Sequence, residues 1–387
     1  MTAVREMSGP SLNSFGGQSR VFRAPGRVNL IGEHTDYNDG FVMPAAIDFS
    51  TWVTISPRDD RVVSVYSENF RERVNFNLDD PALRPQRHWS DYVKGVAVTL
   101  ERSGYRLRGA QLHIRGNVPL GSGLSSSAAI EVAAGYALLE NSGFAIDRAE
   151  LAQLCQRAEN EFVGMRCGIM DQLVSCHGQK GKVLLLDCRS LEYRLLPLSG
   201  EARLVICNTM VKHELAGGEY NKRRAECEEG VGHLAQRLPD VRALRDVTMT
   251  DLEAHGFDLP ESVYQRCKHV ISENARVLKA AAALERGDFT DFGRLMDESH
   301  RSLRDDYEVS CDELDVMVKL AGALPVTFGA RMMGGGFGGC TVNLVASESV
   351  GEFKRTVADA YHKATGIAPE IYICNAADGA EEIRREV

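Results

Sequence analysis

The junction at residues 118–139 constrains this chain most. An apolar run ends at Val118-Pro119-Leu120, the turn Gly121-Ser122-Gly123-Leu124-Ser125-Ser126-Ser127 follows, and an Ala- and Leu-rich stretch continues to Leu139. That stretch has no proline, and its one break is Gly135, so it reads as a buried helix with a single point of close packing. Burying such a helix needs a sizeable core. With 387 residues, 44% of them hydrophobic, the chain is long enough for one. A chain of this size buries roughly three quarters of its unfolded surface and is more often two domains than one.

The remaining pattern mixes strands and helices. Ser19–Phe22, Thr51–Ser56, residues 104–118, 183–187, Leu204–Asn208, Thr341–Ala346 and Glu370–Cys374 read as strands. Helices are expected over Glu219–Leu238, Val263–Ala282 and Val350–Thr365, and from Asp147, where Asp147 and Glu150 have capping-box spacing. In that last helix Leu151, Leu154, Cys155, Ala158 and Phe162 form an apolar stripe. Glu159 lies beside the stripe and reads either as a solvated boundary residue or as a functional group. This order predicts an α+β chain with a domain boundary near 195–203, following a loose Ser- and Gly-rich arm over residues 1–19.

Charge narrows the partners. The net charge of −9, from 45 basic and 54 acidic residues with no long basic run, argues against nucleic acid or an anionic membrane as the main partner. Ten scattered cysteines without a CxxC pair read as free thiols in a reducing compartment. The N-terminus lacks an apolar signal core and no run reaches membrane-spanning length, so a cytoplasmic location is expected.

Four segments carry the chemistry. Arg27, Glu33, His34 and Asp36 fall within ten residues beside Val28, Leu30 and Ile31. Such a set suits a polyhydroxylated ligand, because carboxylates accept hydroxyl hydrogens while Arg and His donate to oxygens. The Gly121–Ser127 turn exposes backbone N–H groups at a helix start, a suitable phosphate cradle or simply a capped turn. It is not a Walker A loop, since no Gly-Lys-Ser/Thr follows the glycines. Gly334-Gly335-Gly336-Phe337-Gly338-Gly339 reads as either a tight turn or a close backbone approach to a ligand. Asp171, in Cys167-Gly168-Ile169-Met170-Asp171-Gln172, is either a helix cap or a ligand-facing acid.

Together these segments resemble the galactokinase family, within the superfamily of galactose, homoserine, mevalonate and phosphomevalonate (GHMP) kinases. The likeness runs from about Ser19 to the end, with Gly32–Tyr37 similar to the sugar signature and Pro119–Ala128 and Gly334–Gly339 similar to the two superfamily loops. It implies a ribosomal-protein S5 domain 2-like unit over residues 1–198 and a ferredoxin-like unit over 199–387. The implied reaction is transfer of the ATP γ-phosphoryl group to the C1 hydroxyl of α-D-galactose, the entry step of the Leloir route.

By the same resemblance, Asp171 and Arg27 match the catalytic pair, and Glu33, His34, Asp36, Gly168, Asp171 and Tyr220 the sugar-binding set. Trp89, Gly121, Ser122, Gly123, Leu124, Ser125, Ser126 and Ser127 match the nucleotide side, and Ser125 and Glu159 the Mg²⁺ side. Ser122 stands where relatives can have glycine. The partners implied are galactose and ATP, with neither nucleic acid nor membrane, for a monomer or weak homo-oligomer. A kinase for another sugar, such as arabinose, galactosamine or N-acetylgalactosamine, is the competing expectation. A galactose sensor with poor turnover is the other.

Overall fold

The computed structural model describes residues 19–384, apart from 199 and 213–215. Its strands are β1 (Arg20–Asn29), β2 (Phe41–Val42), β3 (Pro44–Pro57), β4 (Val62–Ser67), β5 (Glu72–Asn77), β6 (Ala110–Gly116), β7 (Lys182–Asp187), β8 (Tyr193–Pro197), β9 (Ala202–Lys212), β10 (Thr327–Met333), β11 (Gly338–Ala346), β12 (Glu370–Cys374) and β13 (Glu381–Ile383). The helices are α1 (Asp91–Arg102), α2 (Ser126–Asn141), α3 (Arg148–Ala158), α4 (Met170–His177), α5 (Ala216–Leu234), α6 (Met249–His255), α7 (Glu261–Glu285), α8 (Phe289–Asp305), α9 (Asp312–Gly322) and α10 (Val350–Thr365).

The first sheet runs β13-β1-β3-β6-β4-β5, with β4 and β6 parallel and the other neighbours antiparallel. Alternation along β3 turns Val53 and Ile55 toward the helices, where they meet Val96, Leu100, Leu138 and Leu151 in one core. Gly135 allows the tight fit expected of it, since a Cβ there would lie 3.1 Å from Leu151 and Val96 side-chain atoms. The buried helix is α2, with Ala128–Ala129 and Val132–Leu139 enclosed apart from Tyr136. Asp147 does cap α3, accepting from Ala149 and Glu150 N–H.

The second sheet runs β10-β11-β9-β12, all antiparallel. With α10 between β11 and β12, the strand order is that of a ferredoxin-like βαββαβ unit. Helices α9 and α10 cover one face through Met317, Phe353, Val357 and Tyr361. On the other face Val28, Leu30 and Ile31 from β1 and the loop beyond it share a core with Leu204, Val342, Met333, Val277 and Phe292. That shared core is what brings the sugar-signature loop of the first half against the glycine loop of the second. The last strand leaves the second half altogether: β13 pairs with β1, held by Arg20 to Glu382 at 2.6 Å. Among the described residues no helix is long and apolar enough to cross a membrane, and all ten cysteines are unpaired.

Candidate active site

The loop after β1 is held from several sides. Gly32 has φ +97°, and a Cβ there would lie 2.7 Å from the Phe41 carbonyl and 2.9 Å from Val42 Cα. Helix α7 anchors the loop: Glu273 accepts from Gly32 N–H at 2.9 Å, and Asn274 accepts from Phe41 N–H at 2.9 Å. His34 sits at φ +64°, a strained conformation for a residue with a Cβ, and over-determined surroundings are what keep such a backbone in place.

Asp171, in the first turn of α4, meets Arg27 from β1 in a two-pronged pair: Nε to Oδ1 and Nη2 to Oδ2, both 2.8 Å. Arg27 Nη1 donates to the Gly123 carbonyl, and the Arg27 N–H donates to the Leu124 carbonyl at 3.1 Å, so this one residue ties the acid to the phosphate-type loop. Ser125, at φ +57°, donates its hydroxyl to Asp171 Oδ2 at 2.5 Å. A serine at a helix N-cap ordinarily accepts from the first-turn N–H groups. Here no side-chain cap is made on α2, because the Ser125 hydroxyl faces Asp171, and the N–H groups of the first turn remain available to an anion.

The carboxylates crowd one cleft of about 830 Å³ that also contains Arg27, Ser125–Ser127, Gly334–Gly336 and Tyr220. Asp36 lies so close to Gly168 that a Cβ at 168 would overlap Asp36 Oδ2. Burial, with Asp171 and Glu33 nearby, pushes Asp36 up to about 7. Glu33 accepts from Gly334 N–H at 2.8 Å and lies 3.4 Å from the fully buried Arg331, which joins the sugar-signature loop to the Gly334–Gly339 segment. Burial lowers His34 well below the ordinary histidine value, so its ring is neutral. Its Nδ1 is 2.8 Å from Tyr37 Oη, while its buried Nε2 has no protein partner.

Glu159 opens a π-helical turn, Glu159–Val163, that ends at Gly164 with φ +91°. Such turns often mark functional positions. Its carboxyl faces the cleft and accepts from Gln172 Nε2 at 2.6 Å; the same amide reaches the fully buried Glu131 at 3.0 Å. Burial and then Asp171 push Glu159 up to about 7. An apolar pocket of about 100 Å³ adjoins the cleft, sharing Tyr92, Ser126 and Ser127 with it and lined further by Phe70, Trp89, Leu120 and Ile130. Phe70 and Trp89 stack at 5.5 Å, and the Trp89 indole donates to Glu72 at 2.9 Å.

The structure therefore brings Arg27, Glu33, His34, Asp36, Gly121, Gly123, Leu124, Ser125, Ser126, Ser127, Glu159, Gly168, Asp171 and Tyr220 into one cleft. Trp89 lies in the neighbouring pocket. Ser122 is buried and donates its hydroxyl to the Pro119 carbonyl at 2.7 Å, closing the turn. Sequence reasoning assigned no role to Tyr92, which lines both spaces, or to Glu131. A lone carboxylate within an apolar Ala-rich helix was the available signal for Glu131.

Fold and site together define a small-molecule phosphotransferase of the GHMP type. The GHMP kinases N terminal domain matches residues 91–179 and the GHMP kinases C terminal domain residues 280–363. The galactokinase galactose-binding signature matches residues 12–57. Among curated proteins, the chain is 49% identical over 363 residues to a galactokinase of Roseiflexus sp. (strain RS-1), covering 94% of this chain and 93% of that one. It is 52% identical over 361 residues to a galactokinase of Chloroflexus aggregans, covering 93% of each. A crystal structure of Lactococcus lactis galactokinase complexed with galactose superposes with a TM-score of 0.92 at 37% identity, covering 96% of this chain and 97% of that one. A mevalonate kinase shares the fold at TM-score 0.64 and 19% identity. The chain belongs to the galactokinase family.

Proposed function

We propose that this chain transfers the γ-phosphoryl group of ATP to the anomeric C1 hydroxyl of α-D-galactose, giving α-D-galactose 1-phosphate and ADP, as an entry step of cytoplasmic galactose metabolism. The observation that carries the reading is the Arg27–Asp171 pair, set between a cluster of sugar-type ligands and the open N-terminus of α2.

In this reading Asp171 accepts the C1 hydroxyl proton as the C1 oxygen bonds to the γ-phosphorus and the bond to the ADP oxygen breaks. Arg27 holds the Asp171 carboxylate in place through two hydrogen bonds and sets a positive charge beside the transferring group. Glu33, His34, Asp36 and Tyr220 bind sugar hydroxyls, with Gly168 leaving room for Asp36. A carboxylate matched to a pair of hydroxyls rejects an epimer, because the wrong orientation leaves a buried acceptor unpaired. Gly121, Gly123, Leu124 and Ser125–Ser127 take the phosphates, and the apolar pocket beside Trp89 takes the base. Ser122 serves this set by closing the turn.

The cleft fits Mg²⁺. Ser125, Ser126, Ser127 and Glu159 offer oxygen ligands, and among the described residues Glu33, Asp36, Glu159 and Asp171 face Arg27 as the one Lys or Arg side chain of the cleft, a poor field for a bare triphosphate. Among the described residues no group of three His, Cys, Asp or Glu side chains makes a cage, which suits an ion held mainly by phosphate oxygens and water. Ser125 and Glu159 are the residues to hold it, Ser125 through an oxygen whose hydrogen is already given to Asp171. When bound, Mg²⁺ neutralises charge on the β- and γ-phosphates.

We read the chain as two functional units dividing near residue 198, the second returning its last strand to the first sheet. Sugar-dependent ADP release with Mg-ATP, compared across galactose, glucose, arabinose, galactosamine and N-acetylgalactosamine, tests the proposal. Preference for galactose supports it. Equal turnover of glucose, or galactose binding without turnover, overturns it.

A further inference from the structure

Behind the sugar-type ligands lies a chain of buried groups that the reaction itself does not use. His34 Nδ1 is 2.8 Å from Tyr37 Oη, Tyr37 Oη is 2.7 Å from Tyr307 Oη, and Tyr307 Oη is 3.2 Å from Cys227 Sγ. Tyr307 is fully buried and lies outside the cleft lining. Its backbone is fixed: its N–H donates to the Ser302 carbonyl at 2.9 Å, and its own carbonyl accepts from Arg223 Nε at 2.9 Å. The Tyr307 ring packs 4.6 Å from the His34 ring on one side and 4.6 Å from the His269 ring on the other. His34 thus has one nitrogen engaged by this chain, while the other is buried, unpartnered and part of a residue that lines the cleft.

We propose that Tyr307 is a positioning residue for sugar recognition, which through Tyr37 holds His34 as the Nε2–H tautomer, a donor aimed at a sugar hydroxyl oxygen. This rests on the galactose reading of the cleft.

The direction of the chain follows from hydrogen counting. Burial pushes the Cys227 thiol up to about 11 and both phenols further up, so all three keep their hydrogens, and burial keeps His34 neutral. Three links need three donated hydrogens. With neither buried phenol hydrogen left unpaired, they run either from Cys227 to His34, leaving Nε2–H, or from His34 to Cys227, leaving Nε2 as an acceptor. The cleft decides between them. Its carboxylates, Glu33 and Asp171 foremost, accept hydrogens from sugar hydroxyls, and the Arg27 guanidinium is committed to Asp171 and the Gly123 carbonyl. The hydroxyl oxygens then need donors beyond the one Tyr220 phenol, and His34 Nε2 supplies one only in the first arrangement.

Nitrogen-15 NMR of histidine-labelled full-length protein, with the His34 resonances assigned by their loss in His34→Gln, tests this directly. The expected result is a dominant Nε2–H tautomer for His34 in the wild type. In Tyr307→Phe that dominance decays to a mixture, the KM for galactose rises about tenfold, roughly the worth of one hydrogen bond, and kcat and the KM for Mg-ATP stay within about twofold. A dominant Nδ1–H tautomer in the wild type overturns the proposal, whether or not the variant folds. So does an unchanged His34 tautomer in a folded Tyr307→Phe protein. Failure of the galactose reading shows separately, as wild-type protein lacking galactose-dependent ADP release, and leaves the tautomer measurement interpretable.

Discussion

The two loops that face each other across the cleft are built to opposite rules. The sugar-signature loop is clamped: Gly32 and Gly40 have no room for a Cβ, and Glu273, Asn274 and Thr35 bind its backbone. The phosphate-type loop is open: Gly123 has φ +75° with nothing within 4 Å of a Cβ, and Leu120 is 58% exposed. A ligand distinguished by hydroxyl orientation needs donors and acceptors fixed beforehand, since discrimination depends on leaving a wrong epimer unpaired. A triphosphate is bound through charge and backbone N–H groups that tolerate adjustment. Rigidity sits where the choice of substrate is made.

Paired glycine substitutions strike that contrast hardest. Gly32→Ala should destabilise the protein by about 3 kcal/mol, because at this positive-φ site the added Cβ meets the Phe41 and Val42 backbone and the Val277 side chain. Gly123→Ala should cost only about 1 kcal/mol, the strain of its backbone conformation. Urea unfolding of the two variants compares them, and equal losses would remove the distinction.

Gly168→Ala is the next step down. The protein should fold, but Asp36 must shift to admit the methyl group. Misplacing a positioning group by about 1 Å costs on the order of 10²-fold, so kcat/KM for galactose should fall about that far while the KM for Mg-ATP holds. Steady-state kinetics with each substrate varied in turn would show it; an equal rise in both KM values would contradict the assignment of Gly168 to the sugar side.

Asp36→Asn reads the electrostatics of the same loop. Asp36 binds its proton more tightly in the folded chain than in the unfolded one, with a folded value of about 7. Its contribution to stability is therefore fully present below the ordinary aspartate range near 4 and is lost as pH rises through about 7. At pH 8 the asparagine variant should be the more stable protein, and the advantage should shrink steadily below pH 7 and vanish toward pH 4. Thermal melts across that range decide it. A pH-independent difference would mean that Asp36 is not the strained acid described.

Legibility in the sequence followed the same divide between local and assembled features. Val350–Thr365 and Glu370–Cys374 match their structural bounds because periodicity and flanking glycine or proline mark them locally. Helix α1 escaped: Val93, Val96, Val98 and Thr99 carry a β-branched pattern around Gly95, and only tertiary packing makes Asp91–Arg102 helical. The strand expected over 104–118 shrinks to Ala110–Gly116, since Gly109 packs against Asp60 backbone atoms where the chain enters the sheet. Strands β4, β5 and β10 and helices α8 and α9 also left no clear mark. At the site, Arg27, Glu33, His34 and Asp36 were readable because they share one short segment. Tyr307 and Arg331 were not, for they reach the loop from far along the chain through packing alone.

Phosphorus NMR of galactose and Mg-ATP turned over by wild-type and Asp171→Asn protein tests the central claim most directly. The account predicts a product phosphorylated at C1 of α-D-galactose, formed by the variant about 10³-fold more slowly with galactose still bound. Phosphate at another sugar position, or a variant as fast as the wild type, would contradict it.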